Sequence, residues 1–134
     1  MPARILVVDG DATTLLWLRS QLLAAGYTVD AAHRGDVALQ KIEQEPPELI
    51  VLDPALPDGD GLDIIRRVRA NPRLADVGIV ILSKQTDADT IMRGLNAGAD
   101  HYVLKRPGAD VDPHVVDLGQ MGMIPYYREG GSED

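Results

Sequence analysis

Leu49-Ile50-Val51-Leu52-Asp53-Pro54-Ala55-Leu56-Pro57-Asp58-Gly59-Asp60-Gly61-Leu62 decides how the chain is read. Four apolar residues run into one acid, the pattern of a short strand buried on both faces, as in a parallel sheet. The proline- and glycine-rich segment that follows reads as a turn. Beyond it Leu62, Ile65, Val68 and Arg69 recur at helical spacing, and Asp60 is placed to cap that helix. Asp53 therefore stands at the carboxyl end of a strand, the edge at which open α/β sheets bind ligands. The plainer reading is an aspartate that only opens a turn.

Upstream, residues 5–8 form a second apolar run that ends in an acid, Asp9, with Gly10 and Asp11 making the turn. A helix is expected over about 12–25, ended by Gly26 in the C′ position. Residues 27–32 alternate as a strand. Residues 34–45 read as a helix with Val37, Ala38 and Ile42 on one face, stopped by Pro46-Pro47. Downstream, the central helix ends near Asn71-Pro72, and residues 77–83 are a fourth strand ending in the hydroxyl of Ser83. Thr86-Asp87-Ala88-Asp89 is similar to a capping box opening a helix to about Ala97, with Gly98 closing it. Residues 100–105 form a fifth strand ending in Lys105. Strand and helix alternate with short connections, so the expected fold is α/β: a doubly wound, five-stranded parallel sheet with helices on both faces.

One domain is expected over residues 1–124, with a flexible tail over 125–134. Its last helix is expected to be short and atypical. Asp112-Pro113 suits a cap and first helical position, and Val115, Val116, Leu118 and Met121 supply an apolar face. Gly119 and Gly122 interrupt it, each at about 1 kcal/mol.

The bulk composition narrows the function classes. The 134 residues are 45% apolar and 25% charged, ordinary for a globular domain. Thirteen basic against twenty-one acidic residues leave a net charge of −8, which disfavours direct nucleic-acid binding. No apolar run is long enough to cross a membrane, and the short run at 5–8 is not a signal peptide. The absence of cysteine excludes disulfides and thiolate metal sites and fits a cytoplasmic location.

Four strands thus end in Asp9, Asp53, Ser83 and Lys105, and a parallel sheet brings such ends to one edge. Two carboxylates, a hydroxyl and an ammonium make a phosphoryl-transfer set. Carboxylate oxygens hold Mg²⁺, a carboxylate serves as nucleophile, and the hydroxyl and lysine neutralise the transferred group. Taken singly, Ser83 reads as a strand-end cap and Lys105 as a surface lysine, and Asp9 reads equally well either way; their joint placement argues for a site.

Residues 5–11, 47–62, 80–83 and 94–105 resemble the receiver domain of bacterial response regulators, over roughly residues 3–107. The Asp-x-x-Leu-Pro-x-x-Asp-Gly-Leu pattern from Asp53 and Gly94-Leu95-Asn96-Ala97-Gly98-Ala99-Asp100 carry the resemblance most specifically. It implies a flavodoxin-like fold of strand order 2-1-3-4-5. It implies that Asp53 accepts a phosphoryl group from a histidine kinase or phosphotransfer protein. Mg²⁺ would be held by Asp9, Asp53 and the backbone carbonyl of Ala55. Ser83 would be the switch hydroxyl, Tyr102 the aromatic that follows it, and Lys105 the partner of the phosphoryl oxygens. The signal would pass to a downstream output protein or domain. The domain is then a phospho-acceptor and not an enzyme in its own right.

The chain departs from that pattern at named positions. Gly10 stands where the family places its direct metal-ligating carboxylate, so a water or Asp11 must substitute, and weak Mg²⁺ binding is expected. The plainer reading of Asp11 is a helix cap. Lys84 follows the switch hydroxyl where the family has a small residue; it either screens the pocket or points to solvent. Lys105-Arg106-Pro107 replaces the family's Lys-Pro. In the first helix Thr14, Trp17, Leu18, Leu22 and Ala25 are expected to face the sheet, leaving Leu15, Leu16 and Leu23 in excess. That stripe is a candidate partner or homodimer surface; scattered exposed leucines are the plainer reading.

Two other functions compete. One is a pseudo-receiver, the same fold used as a phosphorylation-independent interaction module, which Gly10 and Lys84 favour. The other is a haloacid-dehalogenase-like phosphatase, because Asp9-Gly10-Asp11-Ala12-Thr13 resembles that family's Asp-x-Asp-x-Thr motif, with Asp9 as nucleophile and Asp11 as acid/base. That family needs a later strand ending in paired acids, which nothing between Pro107 and Asp134 supplies. Asp58-Gly59-Asp60-Gly61 lacks the remaining acids of a calcium loop, and His33, His101 and His114 show no metal spacing. Arg66, Arg67 and Arg69 read as a solvated helix face.

Overall fold

The computed structural model describes residues 3–105. Five strands, β1 (Arg4–Val8), β2 (Thr28–Ala32), β3 (Leu49–Leu52), β4 (Gly78–Ser83) and β5 (His101–Leu104), form one parallel sheet of order 2-1-3-4-5. Four helices connect them: α1 (Ala12–Ala24), α2 (Gly35–Gln44), α3 (Leu62–Ala70) and α4 (Ala88–Ala97). The expected fifth helix and tail lie outside the described residues, as does Arg106. Among the described residues no helix is long and apolar enough to cross a membrane.

Strand alternation divides the core into two layers. Leu6, Val8, Ile50, Leu52, Ile79 and Ile81 pack on one face against Ala38 and Ile42 of α2 and Ile65 and Val68 of α3. Ile5, Val7, Val51, Val80, Leu82 and Val103 pack on the other against Leu18 and Leu22 of α1. All four residues of β3 are buried, as expected of a strand covered on both sides. This position places Asp53 at the middle of the sheet edge.

The local signals differ from expectation at several points. The segment after Asp53 is not a plain turn: Ala55–Leu56 and Gly59–Asp60 pair as a two-residue antiparallel hairpin. Asp60 accepts the Leu62 N–H at 2.9 Å, so it acts at the entry to α3, whose cap position is Gly61. A 3₁₀ turn over Pro72–Leu74, missed in the sequence, buries Leu74. The cap of α4 is Asp87, which accepts the Thr90 N–H at 3.0 Å, not Thr86. Gly26 (φ 98°) and Gly98 (φ 124°) end α1 and α4 in the left-handed region, as their placement predicts.

On α1, Thr14, Leu18 and Leu22 are buried and Trp17 packs against the core. Ala25 is exposed, contrary to the expected register. Leu15 is half-buried against the core, so it is not surplus surface. Leu16 and Leu23 are exposed, at 63% and 45%.

Arg69 is likewise not part of a solvated face. Its guanidinium donates to the carbonyls of Gly98 (2.8 Å) and Val77 (2.7 Å) and pairs with Asp100 (3.0 Å). Asp100 also accepts the Ile79 N–H at 2.8 Å. One side chain thus fastens α3 to the start of β4 and to the α4–β5 turn, at the end of the sheet opposite Asp53. Charge-assisted bonds to partly buried carbonyls are strong. Arg69→Met is expected to cost about 2 kcal/mol in urea unfolding; a cost below about 0.5 kcal/mol would return Arg69 to the solvated face.

Candidate functional site

The carboxyl ends of β1, β3, β4 and β5 converge. Lys105, immediately after β5, sends its ammonium between the two acids. It lies 2.5 Å from Asp53 Oδ2 and 2.8 Å from Asp9 Oδ2. The three side chains are 6% (Lys105), 4% (Asp9) and 10% (Asp53) exposed, so this is a buried charge triad. The remaining carboxylate oxygens are held by backbone: Asp9 Oδ1 accepts the Asp11 N–H at 2.8 Å and Asp53 Oδ1 accepts the Ala55 N–H at 3.0 Å. Each acid therefore sits where an apolar strand delivers it and where the next turn supplies a donor.

The electrostatics follow from burial. Burial pushes the Asp9 carboxyl above the usual carboxylate range, against the pull of Lys105 and the Asp11 N–H, with the nearby Asp53 adding to the rise. Burial also pulls the Lys105 ammonium down, but its bonds to Asp53 and Asp9 outweigh that and hold it above the ordinary lysine value. At neutral pH the lysine is the resident cation of the pocket.

Ser83, at the end of β4, is 4% exposed. Its Oγ accepts the Gln85 N–H at 3.1 Å. Tyr102, on β5, donates its hydroxyl to the Gln85 carbonyl at 2.9 Å, and burial raises that hydroxyl's pKa. Both proposed switch side chains thus grip one residue of the β4–α4 loop. Gln85 carries no side-chain signal in the sequence because these bonds are made by its backbone.

Asp11 does not join the acids. Its side chain caps α1, accepting the Thr14 hydroxyl at 2.7 Å and the Thr13 N–H at 3.3 Å, and the Thr14 bond lowers its pKa. The cap is the plainer of the two expectations for Asp11, and its carboxylate makes these bonds and not one to Lys105. Lys84 is exposed, its charge felt weakly at Asp11; the ammonium bonded to Asp53 is that of Lys105. Among the described residues no three His, Asp or Glu side chains gather as a metal cluster.

Beside the triad, a cavity of about 680 Å³ runs between the hairpin after β3 and α4. Gly10, Ala55, Pro57, Ser83, Gln85 and Tyr102 are among its lining residues. A Cβ at position 10 would meet Pro57 Cδ at 3.1 Å and the Ala55 carbonyl oxygen at 3.2 Å. The Ala55 carbonyl oxygen therefore lies against Gly10. The donor set on this side is two carboxylates and one carbonyl. Oxygen donors of this type are those Mg²⁺ takes, with several waters kept.

Comparison with known proteins agrees with this geometry. The family model described as "Response regulator receiver domain" matches residues 5–111. The response regulator MprA of Mycobacterium ulcerans is 40% identical over 105 residues, covering 78% of this chain and 44% of MprA. The chain thus spans about half the length of the curated relatives it matches. A crystal structure of a putative response regulator from Chloroflexus aurantiacus superposes with TM-score 0.74 at 36% identity, covering 78% of this chain and 86% of that one. The structure titled "BeF3 Activated DrrB Receiver Domain" superposes with TM-score 0.72 at 29% identity, covering 87% and 92%. With acid, acid, hydroxyl and lysine at the carboxyl edge of a 2-1-3-4-5 sheet, and with the family pattern matched along most of its length, the chain belongs to the response regulator receiver domain family of two-component systems.

Proposed function

We propose that this domain accepts a phosphoryl group on Asp53 from a phosphohistidine donor and passes the signal on through Ser83 and Tyr102. The observation that carries the reading is the Asp53–Lys105–Asp9 triad at the sheet edge. Asp53 Oδ2 attacks phosphorus, the donor's P–N bond breaks, and the imidazole leaves with the bonding pair. The Lys105 ammonium, already at that oxygen, turns its charge onto the new phosphoryl oxygens. Ser83 donates its hydroxyl to a phosphoryl oxygen, and the movement of Oγ toward the phosphoryl group draws it away from the Gln85 N–H that it accepts, which loosens the loop that Tyr102 also holds. Mg²⁺ would be held by Asp9, Asp53 and the Ala55 carbonyl, with water in place of a residue-10 side chain; it supplies further neutralisation of the phosphoryl oxygens. The partners are a histidine kinase or phosphotransfer protein and a downstream output protein or domain. The role is that of a cytoplasmic signalling module and not an enzyme.

A phosphorylation-independent interaction module is the second reading, favoured by Gly10 alone. The experiment that decides is intact mass after acetyl phosphate and Mg²⁺ treatment. A single phosphoryl adduct mapping to Asp53 is expected. A folded protein that acquires none would overturn the acceptor role and select the second reading.

A further inference from the structure

The loop between β3 and α3 carries Ala55 and Pro57 over Gly10, and it is fastened from outside. The Asp58 carboxylate accepts the Gly35 N–H at 2.7 Å and the Asp36 N–H at 3.0 Å, the first two N–H groups of α2. Arg34 lies 3.9 Å away. No side chain in the cap position of α2 serves these donors, since that position is Arg34 and makes no capping bond. Asp58 therefore caps α2 from another element, a placement favoured by free N–H groups and the helix dipole. The approach is close because residue 35 is glycine: a Cβ there would lie 3.3 Å from Asp58 Oδ1. One residue earlier in the chain, Pro57 stands 3.1 Å from where a Cβ at position 10 would be, with the Ala55 oxygen at 3.2 Å.

We infer that Asp58 is a positioning residue: through its fork onto the N-terminus of α2 it holds the β3–α3 loop against Gly10. The loop position and the missing carboxylate then form one matched arrangement. The inference builds on the acceptor reading only in that this loop carries the Ala55 carbonyl. Its consequence is that an acid restored at position 10 does not simply add a ligand. It must push Pro57 and Ala55 outward, and the Asp58 fork resists.

The test compares wild type, Gly10→Asp, Asp58→Ala and the double variant by thermal midpoint and by calorimetric titration with Mg²⁺ alone, without phosphodonor. Gly10→Asp is expected to lower the midpoint and to tighten Mg²⁺ binding by less than about threefold. The double variant is expected to bind Mg²⁺ about tenfold tighter than Gly10→Asp, and the midpoint loss from Gly10→Asp is expected to be smaller once Asp58 is gone. This direction opposes simple charge, because deleting an acid should weaken cation binding. Gly10→Asp/Gly35→Ala, whose added Cβ crowds Asp58 Oδ1 at 3.3 Å without altering charge, is expected to move both readouts in the same direction as the double variant, by less. Should the acid at position 10 prevent folding, Gly10→Ala carries the thermal comparison in both backgrounds. Tenfold tighter binding by Gly10→Asp alone with an unchanged midpoint, or strictly additive effects of positions 10 and 58, would overturn the inference. The acceptor reading fails on a different result, the absence of a phosphoryl adduct, which enters none of these measurements.

Discussion

Lys105→Met is expected to destabilise the domain by about 3–5 kcal/mol at about pH 7. The substitution keeps an unbranched chain of similar length, so little volume is lost. What it removes is the cation between two buried carboxylates, 2.8 Å from one and 2.5 Å from the other. Breaking a buried pair by deleting one partner leaves an uncompensated charge, and here it leaves two of the same sign. The pH dependence fixes the cause. In the wild type the Lys105 pKa is raised above 10.5, so its stabilisation is fully present below that value and is lost as pH rises through the folded-state pKa. The Asp9 pKa is raised above 3.8, so Asp9 contributes a penalty that is absent below that value and grows as pH rises. Without Lys105 that penalty enlarges, and the deficit of the variant is expected to shrink as pH falls toward the carboxylate range, about 4. Urea unfolding at about pH 7 and about pH 5 reads the carboxylate arm, since Lys105 is fully charged at both. A deficit under about 1 kcal/mol, or one that does not change with pH, would mean that the triad behaves as an exposed ion pair.

The architecture was legible because it is written in burial. Four consecutive apolar residues at 49–52 can only be satisfied between two layers, and the structure buries all four. The site residues were legible for the same reason: each follows such a run, and a parallel sheet sends every run's end to one edge. What escaped was settled by contacts between distant elements. Arg69 sits at a surface-like helical position, yet its guanidinium reaches two carbonyls and Asp100 across the fold; nothing in its neighbours in sequence encodes that reach. Asp58 reads as a loop acid and proves to cap a helix 22–23 residues earlier. Gln85 contributes only its backbone. Asp11 had two readings that one-dimensional spacing cannot separate, and in the fold its carboxylate takes the Thr14 hydroxyl as a helix cap. The apolar excess of α1 was overstated at Leu15 because the helix meets the sheet over a broader face than a single stripe.

Asp53→Asn is expected to abolish phosphoryl labelling completely while changing stability by only about 1 kcal/mol, the reverse balance to Lys105→Met. The amide keeps an oxygen that accepts the Ala55 N–H, the bond made at 3.0 Å by Oδ1. It presents its NH₂ to Lys105 in place of Oδ2, so one charge-assisted bond is lost. Two effects offset the loss. Lys105 retains its 2.8 Å pair with Asp9, so no cation is left bare, and Asp9 is relieved of the repulsion from Asp53 that helps raise its pKa. Removing one of two like charges around a single counter-charge is therefore mild, whereas removing the counter-charge is severe. For labelling, the amide is no nucleophile, and no adduct forms at position 53. Intact mass after acetyl phosphate, read beside urea unfolding of the same preparations, checks both halves. Persistent labelling would move the nucleophile to another acid, with Asp9, the only other carboxylate on Lys105 among the described residues, as the first to be tested through Asp9→Asn. A stability loss as large as that of Lys105→Met would instead show that the pocket needs the Asp53 charge as much as the lysine, and that the pair with Asp9 does not compensate Lys105.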